Sequence, residues 1–165
     1  MVRPLILRSN RFLGNNLVNQ ELITLEQLEE ANNHLLDKIE AEVVREASIL
    51  RILLWELEYL NEEEFLQFQV DQFELGLVDL DCFDMPEKLL DKVDLEECWA
   101  TWTIPYDCEG DFYLVATSYF MSQPVKDFWE EKLGGKVLWF LTELASISRF
   151  IEKAEEELKK KLPAS

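Results

Sequence analysis

One set of positions recurs along the first half of this chain and limits what it can fold into. Setting Leu13 on Leu50 also places Leu17 on Leu54, Ile23 on Leu60, Thr24 on Asn61 and Leu28 on Phe65. In each copy the polar residue is followed three places later by Gln27 or Glu64. That is capping-box chemistry: the first side chain accepts the orphan amide three residues on, and the second reaches back to the N-cap amide. The apolar spacing is helical. It predicts a short helix from Leu13 to about Gln20 and a longer one from Leu25 to about Ile39, with helix ends between Asp37 and Glu46 left open. Two copies are too few for a solenoid, so the expectation is two helical hairpins packed on each other. Leu17, Leu28, Leu54 and Leu60 are the expected contacts.

The texture changes after residue 75. Gly76 and the run Leu77 to Leu80 read as an extended connector over 76–84, and Pro86 suits the first turn of a short helix, Glu87 to Lys92. The stretch from Ala100 to Phe120 is aromatic and β-branched, with "DCEGD" as a turn between two strands. A helix follows over Val125 to Leu133, closed by Gly134 and Gly135, then a strand over Lys136 to Leu141. Thr142 is the candidate cap of a last helix reaching about Lys161. Strand, helix, strand in that order implies a parallel pair. The fold class expected is α+β: a helical part over 1–75 and a small α/β part over 85–165 with a three-stranded sheet.

With 48% hydrophobic and 12% aromatic residues, the chain can fill a core. Its formal net charge of −18, from 34 acidic and 16 basic residues, repels phosphate backbones and anionic membrane surfaces. Nucleic acid and direct membrane insertion are therefore not expected. Cys82, Cys98 and Cys108 are odd in number and form no C-x-x-C, which suits reduced thiols in the cytoplasm. The opening "MVRPLILRSNRF" is interrupted too soon by Arg8 and Arg11 for a signal peptide.

Catalytic patterns are weak. His34 is the single histidine and has no Ser or Cys partner in sequence. No phosphate-gripping G-x-x-x-x-G-K-[ST] occurs, and "LGGK" at Leu133 to Lys136 reads as a helix end and turn. Asp79, Asp81 and Asp84 lack the glycine and distal glutamate of a calcium loop. Glu62 to Glu64 suit a first helical turn, where negative charge complements the dipole. No enzyme, metal or cofactor is expected. Trp99, Trp102, Tyr106, Phe112, Tyr113, Tyr119, Phe120 and Trp129 are expected mostly in the core, with some left over for an interaction patch.

Taken in order, "FLGNNLVNQELITLEQLEEA", "LRILLWELEYLNEEEFLQFQVDQ", "LGLVDLD", "IPYDCEGDFYLVATS" and "LGGKVLWFLTELASISRFIEKAEEEL" resemble the N-terminal domain of type II secretion and type IV pilus assembly ATPases. The resemblance runs over about residues 11–158. It implies a tandem motif that in some members binds cyclic di-GMP through an Arg, two Gly, apolar residues and a terminal Gln in each copy. Carried onto this chain, the first copy keeps Leu13, Gly14, Leu17, Ile23 and Leu28, with Phe12 at the Arg position, Glu21 at the second Gly and Leu35 at the Gln. The second keeps Leu50, Leu54, Leu60 and Gln72, with Ile49 at the Arg, Arg51 at the first Gly and Glu58 at the second. Arg11 lies one residue out of register. The ligand-binding set implied is Arg11, Gly14, Leu17, Arg51, Leu54 and Gln72.

A glutamate beside a dianionic ligand, at ~4 Å and an effective dielectric of ~20, repels it by about 4 kcal/mol. That weakens binding roughly a thousandfold. The expectation is thus a non-catalytic interaction or regulatory domain that binds another protein, such as a secretion or pilus assembly component. A cyclic di-GMP receptor using the variant motif is the alternative. The family's ATPase core lies outside this sequence, which reads as either a stand-alone relative or a piece of a longer chain.

Overall fold

The computed structural model describes residues 2–161. Helix α1 (Arg3–Asn19) starts well before Leu13, because Pro4 suits its first turn and Ile6, Asn10, Leu13 and Leu17 share one buried face. It ends where the Leu22 amide reaches back to the Leu17 carbonyl at 2.9 Å. Helix α2 (Leu25–Glu40) opens on the capping box read from the sequence. The Gln27 amide donates to Thr24 Oγ1 at 3.1 Å and the Thr24 amide to Gln27 Oε1 at 2.9 Å.

The second copy is less regular than the first. Its opening helix, α3 (Ile49–Arg51), runs directly into a single wide π turn over Ile52–Glu56. After a short connection α4 (Glu62–Phe73) begins, with Asn61 Oδ1 accepting the Glu64 amide at 2.9 Å. Leu17, Leu28 and Leu54 are buried, and Leu60 is half-buried against the core cluster to which they belong.

Strands β1 (Gly76–Leu77), β2 (Thr103–Glu109), β3 (Phe112–Thr117) and β4 (Lys136–Leu141) form one sheet in the order β1-β4-β3-β2. The sheet has four strands, where three were expected. Two residues of the connector, too few to leave a period in sequence, pair in parallel with Phe140 and Leu141. The β3–β4 pair is parallel, as strand–helix–strand order implies, and β2–β3 is an antiparallel hairpin.

Helices α5 (Glu87–Lys92), α6 (Leu95–Thr101), α7 (Gln123–Leu133) and α8 (Leu144–Lys161) complete the chain. Ala100 and Thr101 lie in α6 and not in the following strand. Asp94 Oδ1 caps that helix by accepting the Glu96 amide at 2.9 Å, a local signal hidden by the aromatic run beside it. The expected cap of α8 is also corrected. The Leu144 amide donates to Glu62 Oε2 of α4 at 3.0 Å, so a carboxylate distant in sequence does the work given to Thr142.

One hydrophobic cluster runs from Ile6 and Leu17 through Trp102 and Val115 to Ile151. Helix α1 lies against α6 and α7 as well as α2 and α3. Among the described residues no helix is long and apolar enough to cross a membrane.

Candidate functional site

Helices α1 and α2 leave between them an open groove of about 410 Å³, lined by Leu7, Arg11, Asn15, Leu28, Asn32 and Leu36 among others. Arg11 is exposed at its edge and makes no ion pair with any described residue. Gly14 lies beneath, where a Cβ would fall 2.6 Å from Leu28 Cδ1. Its lack of a side chain lets the two helices approach. Leu17 and Leu54 point inward and belong to the core. Gln72 is exposed on α4.

Arg51 is differently placed. Its Nη1 stands 3.7 Å from Glu46 Oε1 and 3.6 Å from Glu56 Oε2, and its guanidinium lies over the Trp55 ring, 5.2 Å from the centroid. Lys38 joins the same cluster, 3.1 Å from Glu46 and 3.7 Å from Glu56. The hydrogen bond from Lys38 holds the Glu46 carboxyl below its usual range, and the same bond raises Lys38. Two cations and two carboxylates thus balance in charge, and Glu46 and Glu56 beside Arg51 would repel an incoming anion. Nothing local in the sequence ties Lys38 to this group. The tie comes from the turn Val44–Glu46, which brings Glu46 back against the end of α2.

The backbone at the second glycine position of each motif copy is informative. Glu21 has φ of 60° and Glu58 of 54°, both left-handed. Glycine adopts that region without penalty, whereas a side chain there is strained. At both positions where the resemblance implies a second glycine, this chain therefore carries a carboxylate on left-handed backbone. Among the described residues no group of His, Cys, Asp and Glu is arranged to hold a metal ion.

A buried polar knot, unread in the sequence, lies behind the groove. Asn10 Oδ1 accepts from the Ile49 amide at 2.8 Å and from the Tyr119 hydroxyl at 2.6 Å, and Asn10 Nδ2 donates to the Ile6 carbonyl at 2.8 Å. Ser48 Oγ sits 2.5 Å from the Tyr119 hydroxyl and accepts the Arg51 amide at 3.1 Å. Burial pushes the Tyr119 hydroxyl well above the usual tyrosine range. The knot fixes α3, and so Arg51, relative to α1 and the sheet.

No protein-family profile and no curated protein matches the chain. Solved structures do. The structure of MshE with cdg shares 17% identity over 86% of this chain and 97% of that one, with a TM-score of 0.54. The N-terminal domain of XpsE shares 15% identity over 84% of this chain and 91% of that one, with a TM-score of 0.57. The chain has the fold of the N-terminal domains of type II secretion and type IV pilus ATPases, the fold the sequence resemblance implied.

Proposed function

We propose that this chain is a non-catalytic interaction and regulatory domain of the secretion and pilus ATPase N-terminal type, acting in the cytoplasm on another protein of the assembly. The observation that carries this reading is the state of the ligand-facing positions. Glu21 and Glu58 stand in left-handed backbone where the motif has glycine, and Arg51 is held by Glu46 and Glu56. The packing positions Leu13, Leu17, Leu50 and Leu54 are all buried. A scaffold kept without its ligand contacts suits a surface that meets protein. In this reading residues 1–75 and 85–165 are two parts of one working unit, joined through 76–84.

The experiment is affinity purification of the tagged chain from native cells, with cross-linking mass spectrometry. A stoichiometric partner of the assembly apparatus is expected, and recovery of none overturns the proposal. A second reading, a cyclic di-GMP receptor, is favoured by the open groove beside Arg11 and by the fold shared with MshE, solved with cdg. Calorimetric titration with cyclic di-GMP separates the two. No heat is expected. Micromolar binding abolished by Arg11→Ala would restore the receptor, and a ligand at 100 times its Kd should then add about 2.7 kcal/mol of stability.

A further inference from the structure

Among the described residues, one face of the sheet is open at its hairpin end. In a parallel pair, partnered residues share a face, so Phe112, Leu114 and Ala116 of β3 lie on the same side as Lys136, Leu138 and Phe140 of β4. Toward one end this face is covered: Ile104 and Ala116 are fully buried, and Phe83 packs on Tyr106, which meets Phe140. Toward the hairpin tip it is open. Phe112 is 42% and Leu138 47% exposed.

A β-bulge decides what surrounds these side chains. The register of β2 on β3 shifts between Pro105 and Asp107, so that Asp107 pairs with Leu114 and Glu109 with Phe112. An unbroken ladder would pair Tyr106 with Leu114 and turn both carboxylates to the opposite face. With the shift they stand on the apolar side. Asp111, at the hairpin turn, completes the rim of an open depression of about 560 Å³ floored by Phe112, Leu114 and Leu138. None of Asp107, Glu109 or Asp111 has a cationic partner among the described residues. The Phe112 ring already carries an ammonium group, that of Lys136, 5.3 Å from its centroid.

We propose that this open end of the sheet is a docking face, and that its occupant is a basic amphipathic segment of another protein. The inference rests on the interaction reading above and names the chemistry of the partner. Aliphatic or aromatic side chains of the segment would cover Phe112 and Leu138, and its Lys or Arg side chains would meet the three carboxylates. An acidic partner is repelled by the rim and by the net charge of −18, and so is an anionic membrane.

The test titrates the full chain into a dye-labelled amphipathic peptide of leucine and lysine and follows fluorescence anisotropy at low and moderate salt. Phe112→Thr/Leu138→Thr keeps β-propensity while removing the apolar floor, and Asp107→Asn/Glu109→Gln/Asp111→Asn removes the rim. Glu29→Gln/Glu40→Gln/Glu63→Gln removes the same charge from exposed helical positions elsewhere. Both face variants should weaken binding by about tenfold or more, and the helical control by less than about twofold. The proposal is overturned if the control weakens binding as much as the rim variant, or if the floor variant binds like the parent. Absence of binding at low salt overturns it too. Self-association of the chain that the floor variant abolishes would make the occupant a second copy, and that also overturns it. A stoichiometric partner from native cells that binds the floor variant equally well would leave the interaction reading standing and this face out of it.

Discussion

Glu21, Glu42, Glu58 and Glu74 all have positive φ, between 54° and 60°, close to the ends of helical segments. A non-glycine residue there is strained by about 1–2 kcal/mol. Glycine relieves the strain but gives back part of it through a more mobile unfolded chain. Glu21→Gly and Glu58→Gly are therefore each expected to raise stability by roughly 1 kcal/mol. The reading is a higher urea midpoint at unchanged slope, and an unmoved midpoint would remove the strain argument. The two glycines between α7 and β4 make the opposite contrast. Gly134 has φ of 67° with open space around it, so Gly134→Ala should cost about 1 kcal/mol. A Cβ on Gly135 would lie 2.2 Å from the Asp111 carbonyl oxygen and 2.9 Å from the Tyr113 ring. Gly135→Ala should cost about 3 kcal/mol, because backbone must move. Equal midpoints for the two variants would contradict this close approach.

The elements legible in the sequence are those whose signal is local. The Thr24 capping box, the "DCEGD" turn, the Gly134 helix end and the apolar run of β4 each announce themselves within a few residues. The repeat, Leu17 with Leu54, was legible instead from the same spacing occurring twice, and Glu21 with Glu58 from the resemblance. Missed elements owe their form to distant partners. The strand β1 exists because Phe140 and Leu141 are beside it. The α8 terminus is held by Glu62, and burial raises that carboxyl above its usual range. Of the site, the scaffold residues were readable, but the neutralisation of Arg51 needed Lys38 and Glu46 brought together by a turn. The knot around Tyr119 is of the same kind and is testable. Tyr119→Phe removes a hydroxyl that bonds Asn10 and Ser48, and should cost about 1–2 kcal/mol at pH 7. Its pH dependence has a definite sign. Tyr119 is raised above its unfolded value and Tyr106 is pushed up to about 12, both by burial. Their contribution is complete below the unfolded pKa, about 10, and is lost as pH rises beyond it. Urea midpoints should fall above that pH, and less steeply in Tyr119→Phe than in the parent.

At the scale of the molecule the question is whether the helical part and the sheet part stand or fall together. The core cluster has members in both, and α1 packs on α6 and α7 while also packing on α2 and α3. Ser122 Oγ donates to the Ser9 carbonyl at 2.8 Å, adding a bond across the same boundary. Asn10 is the residue most exposed to this question, because it is buried and its amide joins α1, the start of α3 and Tyr119 at once. Asn10→Ala would leave the Ile49 amide and the Tyr119 hydroxyl without that acceptor, at a cost of about 3 kcal/mol. If the boundary is as continuous as these contacts indicate, the parent unfolds in one transition. Helical circular dichroism and the fluorescence of the buried Trp102 and Trp129 should then report the same midpoint. Asn10→Ala should lower both midpoints by the same amount. Loss of helical signal at a temperature where tryptophan fluorescence is unchanged would mean two independent units, and the bonds from Tyr119 to Asn10 and Ser48 would then not couple them.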